Sequence, residues 1–243
     1  MNQLKLTIIY DNNLLQENLK TDWGFSCLIE TGKNKILFDT GDNGKILLDN
    51  MEKLGIDPRS IDTVFLSHFH HDHTGGLKNF LENNPHVKIF YPKSFPAEII
   101  DIIKNSGADS FSVSELKEIL PGIFTLGEIQ GKIPEQSLVI KSNIGLILIT
   151  GCAHPGITNI LDNVISNFPD EIIYLALGGF HMHRFTNEEI NEVIKKMTKI
   201  NVLNVAPTHC SGNSTRSMFK EVFDADYMEI GAGKVITISS NKN

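Results

Sequence analysis

Short segments of alternating apolar and polar residues recur along the chain and predict β-strands, whereas longer segments with a helical period predict α-helices. The predicted strands are residues 4–10, 25–31, 35–39, 61–66, 87–91, 122–126, 137–141, 145–150, 172–177, 202–206 and 235–238. The predicted helices are residues 45–54, 77–82, 96–105, 160–168, 188–200 and 214–223. Residues 106–121 show no clear period, so the sequence assigns no element there. Each half contains a predicted hairpin, and the two halves look loosely alike.

The composition is that of an ordinary globular protein, since 41% of the 243 residues are hydrophobic and 21% are charged. This length fits one large domain or two small ones. A formal net charge of −7 argues against a nucleic-acid partner, whose binding surface is normally basic. Three cysteines do not make a disulfide framework, and no apolar run resembles a signal peptide or a transmembrane helix. We therefore expect a cytoplasmic protein with no membrane partner.

One stretch, residues 67–76, concentrates the candidate chemistry between a predicted strand and a predicted helix. Neutral imidazole is the commonest metal ligand in proteins, and carboxylate is a frequent companion. His68 and His70 are two residues apart, so in an extended segment their side chains point the same way. Asp72 and His73 follow directly and can turn towards a second centre. The spacing therefore provides two ligand sets, which suits a site for two metal ions.

Two other sets of residues have a plainer interpretation. His71 points away from the ligand pair by the same alternation, so we expect it to pack or to support a ligand. Cys152 and Cys210 each adjoin a candidate histidine. Thiolates bind zinc well, but neighbouring residues on a strand face opposite ways, and we expect both cysteines to be packing residues.

The order His68-x-His70-x-Asp72-His73 resembles the signature motif of the metallo-β-lactamase superfamily. The upstream segment Phe-Asp-Thr-Gly at residues 38–41 stands in the order usual for that superfamily. The resemblance covers the whole chain and implies one domain over residues 1–243. It also implies the α/β (α+β) class, as a four-layer αββα metallo-β-lactamase-like sandwich with mixed sheets.

The resemblance extends to the residues of the metal site. His154 matches the lone histidine of the third motif, and His209 matches the last ligand. The implied sets are His68, His70 and His154 for one ion, and Asp72, His73 and His209 for the other. Asp39 is expected to support the histidine loop, because ligating histidines need a partner on the second ring nitrogen. Two divalent ions are expected, with zinc as the first choice and iron or manganese as alternatives.

The chain departs from the superfamily pattern where an aspartate usually bridges the metals. Residues 178–181 read Gly-Gly-Phe-His there, and this departure resembles the branch of dihydropterin–ribofuranosylaminobenzene phosphate synthase-like proteins. Without that carboxylate, Asp72 supplies the only negative side chain among the expected ligands, so the site should attract anions. His181 is expected near the vacant place as a ligand, a proton donor or an anion contact. His183 and Arg184 are weaker candidates for contacting substrate charge.

The leading hypothesis is a hydrolase that uses a metal-activated hydroxide on a small phosphate- or carboxylate-bearing substrate, with Asp72 and His181 as the catalytic residues. The alternative is a transferase or synthase that joins a dihydropterin-like and a phosphorylated aryl-ribose substrate. A redox di-iron protein is disfavoured, because glutamate usually replaces the histidine found here as His70. A nuclease would need a basic surface that the composition lacks, and a non-catalytic binding protein is a further alternative. Substrate identity and oligomeric state are left open by the sequence.

Overall fold

Seven strands form the sheet that carries the histidine stretch. The computed structural model describes residues 3–239, and its chain forms two compact units, the first of which contains residues 3–114 and 231–239. The strands of this unit lie in the order β13-β1-β2-β3-β4-β5-β6. They are β1 (Gln3–Tyr10), β2 (Ser26–Thr31), β3 (Asn34–Phe38), β4 (Thr63–Phe65), β5 (Lys88–Pro92), β6 (Asp109–Val113) and β13 (Val235–Ser239). Pairing is antiparallel from β13 to β3 and parallel from β3 to β6, so the sheet is mixed.

The helices of the first unit connect its parallel strands. They are α1 (Gly44–Lys53), α2 (His71–Thr74), α3 (Leu77–Asn83) and α4 (Ala97–Ser106), with a short 3₁₀ helix at Pro58–Ser60. Leu47 and Met51 are four residues apart on α1, and both are fully buried in the same cluster as Phe80 of α3. This spacing places them on one face of the helix, which therefore packs its apolar side into the core.

The second unit, residues 115–230, contains a six-stranded sheet in the order β12-β11-β10-β9-β8-β7. Its strands are β7 (Lys117–Leu120), β8 (Ile123–Thr125), β9 (Leu138–Ser142), β10 (Gly145–Thr150), β11 (Ile173–Gly179) and β12 (Asn204–Thr208). Pairing is antiparallel from β7 to β10 and parallel from β10 to β12. Every residue of β10 is buried, as expected for an apolar strand in the middle of a sheet.

The helices of the second unit are α5 (Ile157–Asn167), α6 (Asn187–Lys199) and α7 (Asn213–Phe223), with 3₁₀ helices at His209–Ser211 and Asp224–Asp226. Thr186 begins α6 with a capping box, in which its hydroxyl accepts from the Glu189 N–H and the Glu189 carboxylate accepts from the Thr186 N–H. Its buried face consists of Ile190, Val193, Ile194 and Met197. None of the helices within residues 3–239 is both long enough and apolar enough to span a bilayer.

The predicted fold class is confirmed, since the structure has two mixed sheets with helices between their parallel strands. Apart from β13, antiparallel strands come first along the chain in each unit, and parallel strands connected by helices come next. The loose likeness of the two halves of the sequence suggested such a repetition. The sequence missed two elements in residues 106–121, where β6 and β7 lie. Each is the outermost strand of its sheet and is largely exposed, so it lacks the alternation that marks a half-buried strand. One domain over residues 1–243 stays a prediction.

Candidate metal centre

Asp39 stands directly after β3, and its buried carboxylate organises the histidine loop of the first unit. Its backbone has a left-handed φ of 53°, which aspartate tolerates better than most residues. One carboxylate oxygen, Oδ1, accepts the Ser67 N–H at 2.7 Å. The other, Oδ2, lies 2.7 Å from the Ser67 hydroxyl and 2.6 Å from His73 Nδ1. Asp39 therefore ties both ends of the His68–His73 segment to the end of β3. Its role in supporting metal ligands stays a prediction.

The hydrogen bonds around Ser67 determine which nitrogen of His68 carries a proton. The Ser67 hydroxyl donates its single proton to Asp39 Oδ2. Ser67 Oγ also lies 3.0 Å from His68 Nδ1, and this contact must then be donated by the imidazole. The same reasoning places the proton of His73 on Nδ1, against Asp39. In both rings Nε2 is left with the lone pair that a metal requires.

The four predicted ligands of the first unit lie close together. His68 and His70 have ligand nitrogens within 4.8 Å of each other, and the rings of His68 and His73 are centred 4.2 Å apart. Asp72 Oδ2 lies 3.5 Å from His73 Nε2. Asp72 and His73 belong to the single turn α2, so the segment is extended only as far as His70. This change from extended to helical backbone turns the second pair away from the direction of the first.

Two glycines after the histidines let the loop pack tightly against the β3–α1 connection. A Cβ on Gly75 would lie 2.1 Å from the Asp42 carbonyl oxygen, and one on Gly76 would lie 2.2 Å from that of Thr40. Such distances are far below van der Waals contact, so no larger residue fits without moving the backbone. Thr40 also donates from both its N–H and its hydroxyl to the His73 carbonyl. The loop that carries the ligands is therefore held from several sides.

His71 does not pack in the interior. Its side chain is 76% exposed and its Nδ1 lies 2.8 Å from Asp42 Oδ1. Because α2 directs His71 towards solvent, the packing alternative does not hold, while a supporting role for His71 stays a prediction.

In the second unit, Glu135 plays a part similar to that of Asp39. Its carboxylate is buried and accepts three consecutive backbone N–H groups, those of Cys152, Ala153 and His154, each at 2.9 Å. Ala153 has a left-handed φ of 62°, which these hydrogen bonds stabilise. The loop after β10, with its predicted ligand His154, is thus fixed by a carboxylate from a distant part of the unit.

The remaining predicted residues follow the ends of the next two parallel strands. His181 comes two residues after the end of β11 and has a φ of 52°, and its ring is centred 4.2 Å from that of His154. His209 comes directly after β12, is 4% exposed and has a φ of 49°. Ligand atoms of Cys152, His154 and His181 lie within 4.8 Å of one another, and those of Cys152 and His209 are equally close. His183 approaches the same region through a contact of 3.2 Å between its Nδ1 and the Cys210 carbonyl.

The end of β11 requires its two glycines for close strand packing. A Cβ on Gly178 would lie 2.1 Å from the Thr150 carbonyl oxygen, and one on Gly179 would lie 2.6 Å from Cys210 Sγ. Ser211 joins the ends of β11 and β12, because its hydroxyl accepts the Phe180 N–H and donates to the Thr208 carbonyl. These contacts position the backbone of His181 next to that of His209.

Cys210 shares this environment. Burial raises the pKa of the Cys210 thiol, but hydrogen bonds with Cys152 and His181 and the nearby histidine charges outweigh burial, so its pKa lies well below its ordinary value. Cys27, in contrast, is buried in the first sheet and its pKa is raised by burial. Cys210 therefore differs physically from an ordinary core cysteine.

The donor atoms of both units fit transition-metal ions. The first unit offers three imidazoles and a carboxylate, two of the imidazoles having the tautomer that ligation needs. The second unit offers the imidazoles of His154 and His181 and the thiol of Cys152 around one point. The structure thus gathers the predicted residues within each unit, while their roles as ligands stay predictions.

Comparisons with known proteins agree with this architecture. Residues 24–209 match the family model described as the metallo-beta-lactamase superfamily. That match spans more than half of the chain, so the protein belongs to the metallo-β-lactamase superfamily. A solved structure described as Tm1679, a metal-dependent hydrolase of the beta-lactamase superfamily, superposes with a TM-score of 0.84 and 28% identity over 98% of this chain and 100% of that one. The metallo-β-lactamase fold protein YhfI of Bacillus subtilis superposes with a TM-score of 0.72 and 15% identity over 98% of this chain and 100% of that one. At this identity the likeness supports the fold alone.

Within the superfamily, the resemblance to one branch is confirmed. The chain is 34% identical to the 7,8-dihydropterin-6-methyl-4-(β-D-ribofuranosyl)-aminobenzene-5′-phosphate synthase of Methanocaldococcus jannaschii. That alignment covers 88% of this chain and 89% of the relative. An uncharacterised protein of the same organism is 26% identical over 96% of this chain and its own full length.

Sequence reasoning missed two residues that organise the site. Ser67 precedes the first ligand and could have been suspected, since a hydroxyl beside a ligating histidine is a natural hydrogen-bond partner. Glu135 carries no local signal, because it lies 17 residues before the first N–H that it accepts.

Proposed function

We propose that this protein is a metal-dependent hydrolase that acts on a small anionic substrate carrying a phosphate or carboxylate group. The observation that carries the proposal is the buried Asp39–Ser67 pair, which sets the tautomers of His68 and His73. A core histidine needs no such arrangement, whereas a metal ligand does. Membership of the superfamily supports the same conclusion.

The proposal assigns the six predicted ligands to two divalent ions, with zinc as the expected metal. One ion takes His68, His70 and His154, and the other takes Asp72, His73 and His209. When bound, such ions supply Lewis acidity and lower the pKa of a water molecule to near neutrality. Asp39 holds two imidazoles in the required tautomer, and Glu135 holds the loop of His154. Asp72 contributes the negative charge.

His181 is assigned to the substrate. It lies in the segment where the superfamily resemblance implies a bridging aspartate, and its ring is centred 4.2 Å from that of His154. If protonated, it donates a proton to a leaving group; if neutral, it binds a metal. His181→Ala is therefore expected to reduce turnover strongly while changing the unfolding free energy little. Metal content should fall only if the side chain is a ligand.

The test is a screen of phosphoesters, thioesters and lactones with metal-loaded protein, combined with metal analysis of the protein as purified. We expect up to two ions per chain, competitive inhibition by inorganic phosphate, and loss of both metal and activity in His68→Ala and His73→Ala. Full metal occupancy in the His68→Ala/His73→Ala double variant would overturn the ligand assignment. Absence of phosphate binding at millimolar concentration would overturn the anionic substrate.

A transferase or synthase is the second candidate, and one observation favours it. The relative that is 34% identical over most of both chains is named as the synthase of a dihydropterin-linked ribofuranosylaminobenzene phosphate. In that reaction class the substrates would be a dihydropterin-like and a phosphorylated aryl-ribose molecule, and no water need attack. Turnover in ¹⁸O-labelled water separates the candidates, since only a hydrolase incorporates the label into product.

A further inference from the structure

Cys152 lies at a special position among the candidate ligands of the second unit. Its side chain is buried, and its ligand atom is within 4.8 Å of those of His154 and His181. It is also within 4.8 Å of the ligand atom of His209. His154 and His209 are assigned to different ions under the proposed function. One sulfur atom is thus close to a ligand of each ion.

Negatively charged side chains are scarce among the proposed ligands. Residues 178–181, at the end of β11, read Gly-Gly-Phe-His and contain no carboxylate. The described ligands then include one anionic side chain, Asp72, against two divalent charges. A cysteine thiolate supplies a negative charge and is a strong ligand for zinc.

We propose that Cys152 binds metal as a thiolate and supplies the metal centre with a second negative charge beside that of Asp72. The inference rests on the proposed function, because it concerns the same metal centre. Binding replaces the thiol proton, which is released to solvent. The residue is therefore a ligand rather than the packing residue that the sequence suggested.

The backbone around Cys152 explains why strand alternation does not apply to it. β10 ends at Thr150, and the next residues form a loop fastened to Glu135 by three N–H groups. The left-handed Ala153 lies between Cys152 and His154, so both side chains can be directed to one point. The Cys152 carbonyl accepts from Cys210 Sγ at 3.6 Å, and the Cys152 sulfur lies within 4.8 Å of the ligand nitrogens of His154 and His181.

X-ray absorption of the zinc-loaded full chain tests the proposal directly, because sulfur and nitrogen ligands differ in distance. Zinc–sulfur bonds are about 2.3 Å long and zinc–nitrogen bonds about 2.0–2.1 Å. The chain has three cysteines, so single substitutions identify the sulfur. We expect a sulfur contribution in the wild type, in Cys27→Ser and in Cys210→Ser, and its loss in Cys152→Ser.

The Cys27→Ser/Cys210→Ser double variant, in which Cys152 is the remaining thiol, keeps the test valid if Cys152→Ser does not fold. A sulfur contribution in that variant supports the proposal. Zinc bound by nitrogen and oxygen alone in the wild type overturns it while leaving the metal centre of the proposed function intact. Loss of sulfur in Cys210→Ser alone assigns the ligand to Cys210 and also overturns it. A wild type that binds no metal overturns the proposed function itself.

Discussion

Replacing Asp39 with asparagine removes the negative charge beneath the histidine loop while keeping the shape of the side chain. Asparagine also tolerates the left-handed backbone at this position, where φ is 53°, so the substitution adds little strain. The carboxylate accepts three hydrogen bonds, two at Oδ2 and one at Oδ1. The amide can accept only through its single oxygen, and its nitrogen must face a donor.

The orientation of lowest free energy keeps the amide oxygen at the Oδ2 position, where it still accepts hydrogen bonds from Ser67 Oγ and His73 Nδ1. The amide nitrogen then faces the Ser67 N–H, which leaves a buried donor without an acceptor at a cost of about 1–3 kcal/mol. The opposite orientation forces the Ser67 hydroxyl to donate to His68 Nδ1 and moves the imidazole proton onto the nitrogen needed for metal. In either case we expect zinc affinity to fall about 10–100-fold.

Unfolding of the metal-free protein in urea measures the first effect, and competition with a chromophoric chelator measures the second. Asp42→Asn is the matched control, since it removes another carboxylate–histidine pair whose partner, His71, is 76% exposed. That pair should contribute little to stability and nothing to metal binding. The reasoning is refuted if Asp39→Asn binds zinc as tightly as the wild type, or if Asp42→Asn weakens binding equally.

Three further predictions concern the frame around the site. Glu135→Gln should lower the unfolding free energy by about 1–3 kcal/mol, because its amide nitrogen must face one of three buried N–H donors; unchanged stability in urea would contradict this. Gly178→Ala should cost about 1–3 kcal/mol more than Gly55→Ala in the same assay, because both positions have positive φ but only Gly178 has a neighbour within contact distance. Burial, with the nearby Asp22 charge, raises the pKa of Tyr10 to about 12. The folded state therefore favours the neutral phenol, and the unfolding free energy should fall as the pH rises from about 10, the unfolded value, to about 12. Tyr10→Phe should remove that part of the decline, and an identical pH dependence in both proteins would contradict the assignment.

The residue types of the candidate ligands, and most of the elements that carry them, could be predicted from the sequence. His68, His70, Asp72 and His73 could be singled out because their spacing and their place between a strand and a helix are local properties. Helices such as α6 were equally predictable, since a helical period and a capping box both lie within a few residues. The superfamily followed from the same short motif, and the family comparison confirms it.

The surroundings of those candidate ligands, in contrast, depend on contacts between residues that are far apart in the chain. Asp39 and Ser67 are 28 residues apart in the sequence, and Glu135 and His154 are 19 apart. At such separations neither contact produces a periodic pattern in the sequence. The closeness of Cys152 to three histidines likewise depends on the order of β10, β11 and β12 in their sheet. Edge strands β6 and β7 escaped notice because exposed strands need no apolar alternation. The spacing of nearby residues is enough to predict the candidate ligands. Their tautomers, their supporting carboxylates and the neighbouring thiol depend on strands that are distant in sequence but end side by side in the sheet.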